Sequence, residues 1–215
     1  MTDLYQFVDA CPVIPVIVID RLDTAIPLAE ALVAGGITTL EVTLRTAHGL
    51  QAIRDIAKHV PNAFVGAGTV CNAEQFQAVV DAGARFVVSP GSSEALFNAS
   101  RDSNIPLLPG AVTATEVMAV ANAGFPIAKF FPAGTSGGAP AIKALSGPFP
   151  TMRFIPTGGV SLDNMSDYLS LGNISAVGGS WLTPKDAIER GDYDRLEQLA
   201  RDAVTRAHEV QGEKV

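Results

Sequence analysis

Apolar residues recur along this chain in two alternating rhythms. Short runs rich in β-branched residues, such as VIPVIVI and TTLEVTL, are followed by longer stretches in which apolar positions return every three or four residues. The short runs predict strands at Val13–Ile19, Thr38–Leu44, Ala63–Gly66, Arg85–Ser89, Pro106–Leu108, Pro126–Phe131, Arg153–Pro156 and Ser175–Gly178. The longer stretches predict helices with readable ends. Asp23 and Thr46 stand where N-caps belong, Asn72 with Gln75 and Thr113 with Glu116 read as capping boxes, and Gly35-Gly36, Gly83 and Gly124 stand where left-handed C-caps belong.

A weak repeat reinforces the alternation. AGGITTLEVT, AGARFVVSP, AGFPIAKFFP and LGNISAVGG each place a strand behind a helix-closing glycine. Repeated strand–helix pairs imply parallel strands with right-handed crossovers, and eight of them imply an α/β chain folded as a (β/α)8 TIM barrel. An open doubly wound sheet is the alternative. Its dinucleotide fingerprint would follow the first strand, and that position reads IDRLDTA.

Composition narrows the class further. The 215 residues are 47% hydrophobic and 17% charged, which suits one domain spanning 1–215 with a sizeable core. The net charge is −7 with no clustered basic face, so no nucleic-acid partner is expected. Two cysteines, Cys11 and Cys71, read as reduced thiols of a cytoplasmic protein. Met1 to Asp9 carries no basic leader, and the longest apolar run, Pro12 to Ile19, is too short to span a bilayer, so no membrane partner is expected.

In such a barrel, chemistry gathers where the strands end. Lys129 stands out, because it is a single charge in the apolar strand PIAKFFPAG, whereas Lys58, Lys143, Lys185 and Lys214 fall in helical patterns or the tail. Burying an ammonium is costly, and an amine without its proton attacks a ketone. A lysine paired with a barrel carboxylate is the structural alternative. In TTLEVTLRT, alternation places Thr39, Glu41, Thr43 and Arg45 on one face, pointing inward or toward the mouth. Glu41 near an amine can shuttle protons, or it can simply pair with Arg45 or Lys129. Arg45 suits either a carboxylate clamp or a rim salt bridge. Thr69 in GAGTV offers a hydroxyl or a helix cap. PTGGVS and VGGSW set Gly158-Gly159 and Gly178-Gly179-Ser180 after the last two strands. There, backbone amides and helix N-termini favour a phosphate, or the glycines merely make tight turns.

Other chemistries lack their residues. His48, His59 and His208 show no metal-ligand spacing, and neither HExxH nor a G-x-S-x-G elbow is present, so no metal or cofactor is expected. Cys71 near the rim reads as a packed or spectator thiol, Trp181 as core or pocket wall, and SGGAP after the sixth strand as a mobile loop or a linker.

EVTLRT, GAGTV, SPG, KFFPA, PTGG and GGSW, in this order and spacing, resemble the 2-keto-3-deoxy-6-phosphogluconate (KDPG) aldolases, also described as 4-hydroxy-2-oxoglutarate (KHG) aldolases. The resemblance runs from about Val13 to the closing helix. It implies a homotrimeric, metal-free class I lyase of the Entner–Doudoroff route, which releases pyruvate and glyceraldehyde 3-phosphate from a keto-acid phosphate. By motif, Lys129 resembles the Schiff-base lysine and Glu41 the acid/base. Arg45 and Thr69 match positions that hold the pyruvate carboxylate, and Pro90 a pocket position near that end. Gly158, Gly159, Gly179 and Ser180 match the phosphate cradle. Gly134 to Ala139 departs most from the pattern. A galactonate-type aldolase shares barrel and lysine and ranks second. A phosphate-binding barrel without imine chemistry, and a non-catalytic sugar-phosphate sensor, are the rival classes.

Overall fold

A computed structural model describes Val8 and residues 11–212. The expected leader-free N-terminus lies, Val8 apart, outside the described residues, as does Lys214. Eight strands appear among these residues: β1 (Val13–Ile17), β2 (Thr39–Thr43), β3 (Phe64–Gly68), β4 (Val87–Val88), β5 (Leu107–Leu108), β6 (Ile127–Phe130), β7 (Arg153–Pro156) and β8 (Val177–Gly179). Helices α1 (Ala25–Ala34), α2 (Gly49–His59), α3 (Ala73–Asp81), α4 (Glu94–Ser103), α5 (Ala114–Asn122), α6 (Gly138–Leu145) and α7 (Met165–Leu169) separate them. Helices α8 (Lys185–Arg190) and α9 (Tyr193–Gly212) follow the last strand.

All paired strands run parallel, and the eight strand–helix units fit a TIM-like barrel. The expected closed sheet is not continuous, however. One ladder runs β5-β4-β3-β2-β1-β8 and a second joins β6 to β7. Isolated parallel bridges, Gly110↔Lys129 and Thr157↔Gly178, lie at the two seams. Proline explains the interruptions. Pro109, which accepts from Lys129 N, follows β5 and Pro156 ends β7, and neither has an N–H to donate across its seam.

Strand burial follows from helices covering the outside. Leu40 and Val42 are fully buried, and so are Thr39 and Thr43 on the opposite face of β2. Helix α9 buries Leu196, Ala200, Ala203, Ala207 and Val210 at helical spacing. It crosses α1 so closely that a Cβ on Gly35 would sit 2.5 Å from Ala200 Cβ.

The caps divide. Asn72 accepts from Gln75 N, and Thr113 with Glu116 forms the full reciprocal box. The Asp23 and Thr46 expectations fail. Asp23 lies inside a 3-10 turn, Leu22–Thr24, and α1 follows Thr24 without a side-chain cap. Thr46 accepts from His48 N in the turn before α2 and donates to Ile19 O at 2.6 Å. SGGAP is neither loop nor linker: it closes a 3-10 turn, Gly134–Ser136, and opens α6. Gly137, at φ 93, makes the reversal between them.

Candidate active site

β2 and β6 carry the two groups at the centre. Lys129 Nζ donates to Glu41 Oε1 at 2.8 Å and to Oε2 at 3.2 Å. The residues are 4% and 3% exposed, so the pair is desolvated and each charge depends on the other. The Lys129 ammonium also lies 5.5 Å from the centroid of the Phe131 ring, within cation–π range. Of the two ion pairs open to Glu41 in the sequence, the Lys129 pair forms. The same contact permits chemistry, because an amine whose proton has passed to a carboxylate 2.8 Å away can add to a carbonyl.

Arg45 is exposed just beyond β2, and its Nε donates to Thr69 Oγ1 at 3.3 Å. Thr69 is no helix cap, since Asn72 takes that place. Its backbone is left-handed at φ 62, a conformation rare for a residue with a branched Cβ. The residue before it, Gly68, packs against Glu41: a Cβ there would meet Oε1 at 2.2 Å.

Pro90 is exposed beyond β4, and its carbonyl would meet a Cβ on Gly110 at 2.2 Å. That approach ties it to the seam where Gly110 bridges Lys129. Gly158 and Gly159 turn at φ 89 and 78 after β7. Ala133 N and Gly134 N donate to Thr157 O and Gly158 O, both at 2.8 Å, which joins this loop to the end of β6. Gly178 and Gly179 are buried in β8, and Ser180 beyond them is exposed. Gly179 is glycine for a different reason from the turn residues: a Cβ would lie 1.9 Å from the Trp181 ring. Neither glycine pair opens directly onto a helix, since α7 begins at Met165 and α8 at Lys185. Asn164, the residue before α7, donates to Gly159 O at 2.9 Å and accepts from Ser161 N at 2.9 Å, which holds the start of that helix against the first glycine loop.

Two contributors were not singled out in the sequence: Phe131 and Gly68. Alternation from Lys129 reaches Phe131, and GAG gives β3 a face without side chains, so both had a signal. Cys71 is exposed beyond Thr69. Trp181 is half-buried against the core, with its indole N–H buried and without a partner among the described residues. Among the described residues, no group of three His, Cys, Asp or Glu could hold a metal ion, and no helix is long and apolar enough to cross a membrane.

A buried amine–carboxylate pair at the core of parallel α/β units, with arginine and glycine loops at the strand ends, defines a site suited to an anionic carbonyl compound. The chain belongs to the KDPG and KHG aldolase family, whose model matches residues 5–199. It is 52% identical to 2-dehydro-3-deoxy-phosphogluconate aldolase of Dickeya dadantii, over 96% of this chain and 97% of that one. It is 53% identical to KHG/KDPG aldolase of Escherichia coli, over 90% and 91%. A solved KDPG aldolase from Legionella pneumophila, with pyruvate captured at low pH as a covalent carbinolamine intermediate, superposes with TM-score 0.92 at 45% identity, covering 94% of this chain and 98% of that one.

Proposed function

We propose that this chain is a class I aldolase that cleaves 2-dehydro-3-deoxy-6-phosphogluconate to pyruvate and glyceraldehyde 3-phosphate, with Lys129 as the covalent nucleophile. The observation that carries the reading is the buried contact of 2.8 Å between Lys129 and Glu41. The cycle follows from the groups. Lys129 gives its proton to Glu41 and attacks the ketone at carbon 2. Glu41 returns a proton as the carbinolamine loses water. The iminium then draws in the electron pair of the bond between carbons 3 and 4, which breaks as Glu41, directly or through a water, takes the carbon-4 hydroxyl proton. Glyceraldehyde 3-phosphate leaves, the enamine takes a proton at carbon 3, and water releases pyruvate. Arg45 and Thr69 hold the carboxylate end, Pro90 walls it, and amides of Gly158, Gly159, Gly179 and Ser180 hold the phosphate end. The substrate is thereby oriented across the pair. The cycle balances with water alone and invokes no cofactor.

The same site suits 4-hydroxy-2-oxoglutarate, giving pyruvate and glyoxylate, and the double name of the Escherichia coli relative supports including it. Comparing kcat/KM for the two substrates ranks them. We further read residues 1–215 as one domain and one closed (β/α)8 barrel, a reading the isolated parallel bridges at both seams support. Family membership supports a cytoplasmic homotrimer serving the Entner–Doudoroff route. The central test is borohydride reduction with pyruvate. The peptide holding Lys129 should gain the mass of a reduced pyruvate imine. No gain, or a gain on another lysine, overturns the proposal.

A further inference from the structure

β3 presents two glycines on its inner face, Gly66 and Gly68, and neighbouring side chains lie across both. A Cβ on Gly66 would meet the Phe86 ring at 2.4 Å. A Cβ on Gly68 would meet Glu41 Oε1 at 2.2 Å, Cγ at 2.7 Å and Cδ at 2.8 Å. Glu41 therefore lays its side chain over the bare backbone of β3, and from there its carboxylate reaches Lys129. The backbone itself does not call for glycine at 68. Gly68 lies within regular β3, pairs with Thr43, accepts from Leu44 N at 2.9 Å, and is not among the left-handed glycines.

We infer that Gly68 is a positioning residue of the reaction: its missing side chain sets where the Glu41 carboxylate sits relative to Lys129 Nζ. This rests on the roles proposed above for Lys129 and Glu41. An alanine methyl would drive Oε1 away by roughly an ångström to restore van der Waals separation. The contact of 2.8 Å to Nζ then breaks. A misplacement of that size at a reacting group is expected to lower kcat on the order of a hundredfold.

The test uses the intact protein and three variants: G68A, E41A and G68A/E41A. G68A should lose turnover, slow the borohydride trapping of pyruvate, and change the pH–rate profile in the same way as E41A, while KM moves less than kcat. Adding G68A to E41A should cost nothing more, because the carboxylate it displaces is already gone. Wild-type kcat and pH profile in G68A would overturn the inference, as would additive losses in the double variant. Should G68A fail to fold, folding recovered in G68A/E41A supports the clash, and a double variant that also fails to fold overturns it. If E41A itself turns over normally, the proposed role of Glu41 fails. If E41A is impaired and G68A is not, only the positioning role of Gly68 fails.

Discussion

Removing the amine from Lys129 while leaving Glu41 in place should destabilise the protein far more than removing both groups. In Lys129→Met the apolar stem is kept and the Glu41 carboxylate stays in a site where its residue is 3% exposed. Among the described residues its hydrogen bonds are both to Lys129 Nζ. At 2.8 Å and an effective dielectric of about 20, the lost attraction is about 6 kcal/mol. Local relaxation and water entry offset part of it, and stranding one charge of a buried pair costs about 3–5 kcal/mol. For a chain of this size that corresponds to a drop in Tm of roughly 6–20 °C. Lys129→Met/Glu41→Leu replaces the pair with apolar groups, an exchange that is often neutral or stabilising by about 1–4 kcal/mol. The double variant should therefore recover most of the lost stability while remaining inactive. Urea unfolding of wild type, single and double variants, followed by far-ultraviolet circular dichroism, measures all three. If Lys129→Met is as stable as wild type, or the double variant is no better than the single, the buried-pair reasoning is wrong.

Three further outcomes are expected. Gly179→Ala places a methyl where the Trp181 ring lies, so it should cost about 1–3 kcal/mol and shift the emission of the single tryptophan; unchanged fluorescence and stability would show that the ring moves freely. Burial raises the Cys11 thiol from 9.0 to about 11, although a backbone hydrogen bond opposes the shift. Between those values the folded chain keeps a proton the unfolded chain has lost, so stability should fall as pH rises through that window, an effect Cys11→Ala should remove; a thiol reagent should meanwhile modify exposed Cys71 quickly and Cys11 only on unfolding. Backbone hydrogen bonds from Thr113 and Val112 hold Glu116 below its usual 4.5. Its contribution is present above 4.5 and lost as pH falls through the lower folded value, so the stability gap between wild type and Glu116→Gln should close in acid; a gap that persists there would assign the effect to something other than the carboxylate.

Legibility in the sequence followed how local each feature is. The Thr113–Glu116 box is a four-residue pattern, and the structure forms it in full. The rhythm that placed the strands fixed their centres better than their ends, as in β3, which runs to Gly68 rather than Gly66. Asp23 and Thr46 are good capping residues that the chain uses in turns instead, because the exact start of a helix depends on how the preceding segment packs.

The strand–helix order, the isolation of Lys129 in an apolar strand, and the inward face shared by Thr39, Glu41 and Thr43 are all legible along the chain. These follow from periodicities of two and of three to four residues, which reach only along one element. Which carboxylate meets Lys129 was a tertiary decision, since Glu41 is 88 positions away and had Arg45 much nearer in sequence. So were the proline-interrupted seams and the differing reasons for Gly68, Gly159 and Gly179. One makes room for a carboxylate, one turns the chain, and one lies under an indole. A glycine in a sequence states that a side chain is missing; only the packed molecule shows what occupies its place.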